Sequence, residues 1–409
     1  MRIVIFSHGH PTFSKGGGEI AAYNLFKGIN QTEQHHAWFV ARADAKLMHL
    51  GTPVAAMNER EYLIAGNADI SHLTATIALG EDSDFVEMIR SIQPDVVHFH
   101  HYVWLGLEMI RAAKRTCPNA KIVLTLHEYI AICMNSGQMI KTDGRLCYQS
   151  SPRECSQCFP DRTPEDFFLR ERYIKTYFNL VDQFISPSEF LRQRYIAWGI
   201  PAEKITVIEN GLPPGEKLPL RPIQPDEPHG RFAYFGQINS FKGVDLILEA
   251  FAQLPKKARK QVSLDIYGSG LEWQQEGYRN KINHLLTENK DIVRCHGPYE
   301  PEELGKLMSL TDWVVMGSIW WENSPVVIQE AFKFGRPVIC PDIGGMAEKV
   351  KDGVGGLLYR ARDSISLRSL IERILIQDPD FLNDLSSSLP EFSSISKCVT
   401  NHFDVYTRL

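Results

Sequence analysis

The chain of 409 residues lacks the features that would place it in several large protein classes. No apolar run approaches the ~20 residues that a membrane-spanning helix needs. The net charge of -5 gives no basic excess of the kind that nucleic-acid-binding domains carry. The chain begins Met-Arg-Ile-Val-Ile-Phe, which is too short and too strand-like for a signal peptide, so we expect a cytoplasmic protein.

Cysteine is scarce, and the common nucleotide motifs are missing. Eight cysteines in a chain of this length fit thiols or metal ligands better than a disulfide framework. The pattern Gly-x-Gly-x-x-Gly is absent, so the dinucleotide fingerprint does not apply. We assign no Asp-x-Asp pair as a metal site and therefore predict no catalytic metal.

The length and composition that are present fit two globular domains. A chain of 409 residues is long enough for two cores, and its hydrophobic fraction of 44% is ordinary for a globular protein. Residues 212–230 are rich in proline and poor in large apolar side chains, which predicts a linker. We predict a first domain over 1–211, a second over 231–391 and a helix over 392–409.

The stretch from Gly317 to Gly345 is the richest in candidate functional side chains. Ser324 and Pro325 predict a helix start, with Ser as the cap, and Gly335 predicts its end. The N-terminus of this helix offers unpaired amides to a phosphate, and a carboxylate one or two turns along suits a ribose diol. The alternative is a capped amphipathic helix with solvated glutamates.

Buried strands flank that predicted helix. Val314–Gly317 ends one strand, Pro337–Cys340 forms the next, and Gly344-Gly345 follows it. Open parallel sheets bind ligands at the carboxyl ends of their strands, which is where these motifs fall.

The first domain opens with a strand, Ile3–Ser7, and a loop, His8–Lys15, before a glycine run that enters a helix. Glycines between a strand and a helix let the backbone approach a ligand closely, although a tight turn is an equally simple interpretation. Further along, a predicted strand carries His98 and His100, and His101 follows it. One of these histidines could line a ligand cleft, but histidines in such positions more often lie buried in the core.

A stronger histidine candidate ends the next strand. Lys121–Leu126 is apolar and delivers His127-Glu128 at its carboxyl end. Cysteines follow in an irregular loop with the spacing C-x₁₃-C-x₇-C-x₂-C. A tetrahedral zinc would explain how this loop is held, with unrelated thiols as the alternative. The predicted structural zinc ligands are Cys133, Cys147, Cys155 and Cys158.

A predicted helix over 165–179 combines aromatic and basic side chains. Such a face can lie on a membrane surface, which predicts peripheral contact with the inner face of the membrane, but a stripe of this kind is more often core. The aromatic residues are Phe167, Phe168, Tyr173, Tyr177 and Phe178, flanked by Arg170, Arg172 and Lys175.

Glycine-bounded loops also follow strands in the second half. Phe232–Phe235 is a predicted strand, and the following loop, from Gly236 to Gly243, holds Lys242, a suitable partner for a phosphate. A later strand, Val293–His296, leads to Gly297-Pro298-Tyr299.

These motifs together resemble a known family. The pattern Glu-x₇-Glu followed by Ala, then Gly-x-Pro-Val, Gly-Gly and Asp352-Gly353, is similar to glycosyltransferase family four, the retaining nucleotide-sugar transferases of GT-B fold. The resemblance covers nearly the whole chain. It implies an α/β fold with two Rossmann-like domains facing across a cleft, and a C-terminal helix that packs back on the first domain.

The resemblance also implies roles for individual residues. Glu322 would bind donor-sugar hydroxyls, His127 would contact the sugar from the opposite wall, and Lys242 would stabilise the leaving diphosphate; these three are the candidate catalytic residues. The family has Arg where Gln237 stands and Asp where Glu128 stands. The candidate donor-binding residues are Gly17, Gly18, Gly236, Gln237, Lys242, Tyr299, Glu322, Asn323, Ser324, Val326, Val327 and Glu330.

The expected function is transfer of a sugar from a nucleoside diphosphate sugar to an acceptor hydroxyl, in polysaccharide or glycoconjugate biosynthesis. The donor is a substrate, and no catalytic cofactor is implied. Two alternatives remain open at this point, a nucleotide-sugar epimerase of the same fold and a non-catalytic nucleotide-sugar-binding protein. The sequence leaves the sugar, the base, the acceptor and the oligomeric state undetermined.

Overall fold

The computed structural model describes residues 1–14, 16–32, 34–48, 52–66, 73–223, 227–378 and 380–409. Lys15 of the predicted first loop and residues 224–226 of the predicted linker lie outside these ranges. The chain forms two compact units, residues 1–213 with 393–409 (unit 1) and residues 214–392 (unit 2). No helix in the described ranges is both long and apolar enough to span a bilayer.

Unit 1 is an α/β unit whose sheet has eight strands among the described residues, in the order β3-β4-β2-β1-β5-β6-β7-β8. All neighbouring strands are parallel except β3 and β4. The strands are β1 (Arg2–Ser7), β2 (His36–Ala43), β3 (Val54–Ala56), β4 (Glu61–Ala65), β5 (Val96–Phe99), β6 (Lys121–Thr125), β7 (Gln183–Ser186) and β8 (Ile205–Val207). The first helices are α1 (Gly17–Asn30), α2 (Asp84–Ile92), α3 (Glu108–Thr116), α4 (Pro152–Cys158), α5 (Pro164–Phe178) and α6 (Glu189–Ala197).

Unit 2 has a parallel sheet of seven described strands, in the order β11-β10-β9-β12-β13-β15-β14. The strands are β9 (Arg231–Phe235), β10 (Ser263–Tyr267), β11 (Val293–Gly297), β12 (Trp313–Val315), β13 (Val338–Pro341), β14 (Lys351–Asp352) and β15 (Gly355–Tyr359). The helices are α7 (Val244–Ala252), α8 (Lys256–Arg259), α9 (Glu276–Glu288), α10 (Leu304–Ser309), α11 (Val326–Lys333), α12 (Gly344–Lys349), α13 (Ser364–Ile374) and α14 (Asp380–Ser387). Separate apolar clusters cover its two faces, as a parallel sheet requires.

The last helix, α15 (Ile395–Tyr406), belongs to unit 1. It packs against α1 so closely that a side chain at Gly28 would meet Ile395 and Val399. The backbone around Leu212 fixes its start, because the Leu212 N–H donates to the Ser393 carbonyl at 2.8 Å.

The proline-rich segment is not a free linker. Arg221 donates to buried Asp312 at 2.9 Å, and the buried Arg336 side chain donates to the Pro219 carbonyl at 2.7 Å. These long-range contacts attach residues 214–223 to unit 2, so the boundary lies between residues 213 and 214 instead of spanning 212–230. Composition alone shows the prolines but not the arginines that bind their carbonyls.

Both sheets change direction at a central pair of strands. In unit 1 the chain moves outward from β1 to β2 and then returns to β5 on the other side of β1. In unit 2 it moves from β9 to β10 and β11, then returns to β12. Loops that leave such a pair diverge and open a crevice at the carboxyl ends of the strands. Three loops that carry predicted site residues follow β1, β9 and β12, at these two points, whereas His127 and Tyr299 follow β6 and β11.

Candidate active site

The centre of the site in unit 2 is the buried carboxylate of Glu322. Its Oε1 accepts hydrogen bonds from Lys242 Nζ at 2.6 Å, Ser318 Oγ at 2.7 Å and Trp320 Nε1 at 3.0 Å. Glu322 is only 4% exposed, so these donors compensate for the loss of water around the charge. The structure thus joins two predicted site residues from loops 80 positions apart into one ion pair.

Lys242 is held at the end of a loop that Asn239 organises. The Asn239 Oδ1 accepts from the amides of Phe241 and Lys242, both at 3.0 Å. Gln237, where the family has Arg, contacts Asn239 instead, whose Nδ2 donates to the Gln237 Oε1 at 3.4 Å. Asn239 was not among the predicted site residues, although an Asn in a loop between a strand and a helix is a common signal for such a turn.

Glycines allow the two loops of this site to touch through their backbones. Gly243 has a φ of +63°, and a Cβ there would lie 2.0 Å from the Gly317 carbonyl oxygen. A Cβ on Gly345 would lie 1.8 Å from the Asn323 carbonyl oxygen, and its N–H donates to the Glu322 carbonyl at 2.6 Å. The glycines after β13 therefore contact the backbone of the loop that carries Glu322.

The start of α11 differs from the prediction. Pro325, not Ser324, is the N-cap residue, and no side chain caps the helix. The Ser324 amide, a predicted phosphate donor, is instead bonded to Asn323 Oδ1 at 2.6 Å. The Ser324 Oγ is buried and has no hydrogen-bond partner among the described residues, and helix geometry leaves the amides of Val326 and Val327 without intrahelical acceptors.

Glu330 lies on α11, one turn beyond those amides, as predicted. Burial raises the pKa of its carboxyl to about 7, and Lys333 opposes this rise only in part. Glu330 also contributes to a raised pKa of Tyr299, after the larger effect of burial, which shows that the two side chains are near each other. A carboxylate beside an aromatic ring suits a nucleoside, because it can accept from a ribose diol while the ring faces the base.

In unit 1, Gly17 and Gly18 begin α1 at the carboxyl end of β1. A Cβ on Gly18 would lie 3.3 Å from His8 Cε1 and 3.7 Å from His127 Cγ, so the loop passes close to both rings. The buried Glu19 pairs with His8 at 3.2 Å, and this pair helps to lower the Glu19 pKa to about 2 although burial alone would raise it. His8 and Glu19 lie beside the predicted residues Gly18 and His127 but were not among the predicted site residues.

His127 follows β6 and is oriented by another histidine. His100 Nδ1 lies 3.1 Å from His127 Nε2, and burial is the main cause that lowers the His127 pKa to about 3. Glu128 lies near a different histidine, with its Oε1 3.8 Å from His101. Burial raises the pKa of the Glu128 carboxyl to about 7. His98, His100 and His101 are buried, which agrees with the interpretation that they belong to the core.

The four cysteines of the predicted zinc site line one cavity of about 30 Å³. Among the described residues, however, no group of three or more His, Cys, Asp or Glu side chains is arranged so that it could hold a metal ion. Burial raises the pKa of Cys133 to about 11 and also raises those of Cys147 and Cys155, which favours neutral thiols. The structure therefore brings the cysteines together without forming the predicted tetrahedral site.

The aromatic residues of α5 divide between core and surface. Phe167, Tyr177 and Phe178 are buried, which agrees with the core interpretation. Phe168 and its neighbour Leu169 are 53% and 63% exposed. An apolar pair of this helix thus lies on the surface of unit 1.

Two family models match successive parts of the chain. The model described as Glycosyltransferase Family 4 matches residues 15–216, and the model described as Glycosyl transferases group 1 matches residues 221–388. A D-inositol 3-phosphate glycosyltransferase of Corynebacterium aurimucosum is 30% identical over 36% of this chain and 35% of its own length. A lipopolysaccharide 1,2-N-acetylglucosaminetransferase of Salmonella typhimurium is 26% identical over 47% of this chain and 52% of its own. The chain thus spans about a third to a half of these curated relatives.

Solved structures match the full length. The Anabaena protein HepE in complex with UDP aligns with a TM-score of 0.68 over 100% of both chains, at 16% identity. Sucrose-phosphate synthase of Thermosynechococcus elongatus aligns with a TM-score of 0.67 over 99% of this chain and 98% of its own, at 18% identity. At such low identity these matches establish the fold.

Proposed function

The chain belongs to the group 1 glycosyltransferases and has the GT-B fold of two Rossmann-like domains, and we propose that it transfers a sugar from a nucleoside diphosphate sugar to an acceptor hydroxyl with retention at the anomeric carbon. The observation that carries this proposal is the Lys242–Glu322 ion pair beside the start of α11. A cation, a carboxylate and free helix amides at one strand edge suit an anionic sugar donor.

The leaving diphosphate gains negative charge as the bond to the sugar breaks. Lys242 and the amides of Val326 and Val327 are the groups that would stabilise this charge, since they are oriented before the reaction begins. Pro325 has no N–H and shapes the turn without donating. Glu322, whose Oε1 already accepts the three donors, would accept from donor-sugar hydroxyls through Oε2.

His127 would contact the donor sugar as a neutral imidazole. A pKa of about 3 makes it a poor proton acceptor near neutral pH. The donor's own phosphate is then the group that takes the acceptor proton, as the family resemblance implies. We assign no general base among the side chains.

Uridine diphosphate sugars are the first donors to test, because HepE was solved with UDP. The relative of Salmonella typhimurium acts in lipopolysaccharide synthesis by its name, which supports a saccharide or glycolipid acceptor. The exposed Phe168 and Leu169 are suited to peripheral contact with the inner face of a membrane, which is consistent with a cytoplasmic enzyme acting on such an acceptor.

We also propose that the cavity lined by the four cysteines binds a structural zinc ion. All four thiols line one small space, and a zinc ion would have to draw them inward and release their protons. One zinc per chain in protein purified without chelator is the expected result.

The decisive experiment incubates purified protein with a panel of nucleotide sugars, with and without candidate saccharide acceptors. We expect release of nucleoside diphosphate that depends on the acceptor, and a product with the donor's anomeric configuration by NMR. Conversion of the donor without an acceptor would indicate an epimerase. Tight donor binding with no turnover across the panel would indicate a binding protein, and an inverted product would refute retention.

A further inference from the structure

His127 and His100 form a pair of imidazoles at the carboxyl edge of the unit 1 sheet. The planes of the two rings are inclined by 29° with centroids 5.3 Å apart, and His100 Nδ1 lies 3.1 Å from His127 Nε2. His100 directly follows β5, and its backbone N–H donates to the Phe6 carbonyl at 2.8 Å. The pair is thus fixed on two neighbouring strands.

Both rings are neutral near pH 7. Burial lowers the pKa of His100 well below its ordinary value and lowers that of His127 to about 3. A neutral imidazole carries one proton on its two nitrogens, so a hydrogen bond between these rings needs one donor and one acceptor. Only two arrangements satisfy that condition.

The second nitrogen of His100 decides between them. His100 Nε2 is buried and has no hydrogen-bond partner among the described residues. If His127 donated, His100 would carry its proton on Nε2, and that N–H would be a buried donor without an acceptor. If His100 donates from Nδ1, its Nε2 is an unpaired acceptor. Unpaired buried N–H groups are the rarer and costlier case.

The second arrangement also fits the surroundings of His100. The His98 ring lies 4.4 Å from the His100 ring and is itself fixed at both nitrogens, to Thr125 Oγ1 and to the hydroxyl of Tyr406 on α15, each at 2.7 Å. His98 therefore holds the His100 ring in place without supplying a partner for its Nε2.

We propose that His100 is a positioning residue for sugar transfer: its Nδ1–H donates to His127 Nε2 and so holds His127 in the tautomer that carries its proton on Nδ1. In this state His127 is a hydrogen-bond donor, as a contact with a sugar oxygen requires. This role rests on the proposed function, in which His127 contacts the donor sugar.

Substitutions of similar size separate positioning from packing. His100→Asn keeps an amide near the place of Nδ1, whereas His100→Gln moves the amide toward the place of Nε2 and His100→Leu removes it. We expect Asn to keep kcat near wild type, and Gln and Leu to lower kcat by about 10-fold or more with the donor KM little changed. Melting temperatures of all variants identify any loss of fold.

The tautomer can be read directly, without turnover. Long-range ¹H–¹⁵N spectra of protein with labelled histidine distinguish a proton on Nδ1 from one on Nε2, and His127→Gln assigns the signals. We expect Nδ1–H for His127 in the wild type and a shift toward Nε2–H in His100→Leu. Nε2–H in the wild type, or equal kcat for the Asn and Leu variants of His100, would overturn the proposal. Absence of any sugar transfer with Nδ1–H observed would instead refute the proposed function alone.

Discussion

We predict that Glu330 makes nucleotide binding depend on pH. A ribose diol donates hydrogen bonds, so it needs the ionised carboxylate, but burial raises the Glu330 pKa to about 7. With this pKa, roughly one carboxyl in eleven is ionised at pH 6 and about nine in ten at pH 8. If only the ionised form binds, the apparent Kd weakens about tenfold from pH 8 to pH 6, which corresponds to ~1.4 kcal/mol.

The stability of the ligand-free protein should change in the opposite direction. A carboxyl whose pKa is raised by folding stabilises the folded state below its unfolded value, and this contribution is lost as pH rises through about 7. The Glu330→Gln variant lacks this pH-dependent contribution to stability. The difference in melting temperature between variant and wild type therefore becomes more favourable to the variant as pH rises, while binding to the wild type becomes tighter.

The assay is calorimetric titration with a nucleoside diphosphate sugar at several pH values between 6 and 8. An intact nucleotide sugar is preferable to free nucleoside diphosphate, because a terminal phosphate itself titrates near pH 6. Glu330→Gln should bind about 1–3 kcal/mol more weakly at pH 8 and with little dependence on pH. Glu276→Gln, on the exposed first turn of α9, is the matched control and should behave as wild type.

Two results would refute this reasoning. If the wild-type affinity is constant from pH 6 to pH 8, Glu330 is either ionised throughout or outside the nucleotide site. If Glu330→Gln binds as tightly as wild type at pH 8, the carboxylate does not hold the ribose.

Three further predictions test other parts of the structure. Lys242→Ala should lower kcat at saturating donor by roughly 10²-fold, and turnover near wild type would remove Lys242 from the phosphate role. Gly345→Ala should weaken donor binding because its Cβ would meet the Asn323 carbonyl. Gly277→Ala is the control: its Cβ would lie in open space on α9, so it should leave donor binding unchanged and slightly raise the melting temperature. Equal effects of the two substitutions on donor binding would contradict the backbone contact at Gly345. Cys155→Ser should increase proteolysis in the cysteine loop before it affects nucleotide binding, and a metal-free, protease-resistant wild type would refute the zinc proposal.

The sequence predicted the parts of the site that depend on local chemistry. A buried strand, a glycine-rich loop and a helix start can be recognised from neighbouring residues, and this was sufficient to place Glu322 in the loop after a strand and Glu330 on the following helix. The Ser324 cap was wrong because the helix begins one residue later, with Pro325 as the N-cap residue, and the Ser324 Oγ accepts no hydrogen bond from a described residue. A shift of one residue in the helix start decided the outcome, and composition does not reveal it.

Contacts between distant segments could not be predicted in the same way. The Gly345 backbone touches Asn323 across a helix and a strand, and Arg221 binds Asp312 across much of unit 2. The edge strand β3 and its neighbour β4 were missed because each is short and its hydrophobic pattern is weak. A single sequence carries no signal for such pairings, because each depends on where the rest of the sheet places the partner.

The charge of the unit 2 site depends on Gln237, which stands where the family has Arg, and on the pairing of Glu322 with Lys242. Gln237 removes a cation that the family supplies for the diphosphate. Glu322 is neutralised by Lys242 at 2.6 Å, so that lysine is already shared before the donor arrives. An ionised Glu330 adds a further negative charge near an anionic ligand, which Lys333 offsets in part. Burial delays this ionisation until pH approaches 7, so the charge that the ribose contact needs and the charge that disfavours the diphosphate appear together. We therefore expect the ribose contact and the helix amides to contribute more to donor affinity than excess positive charge does.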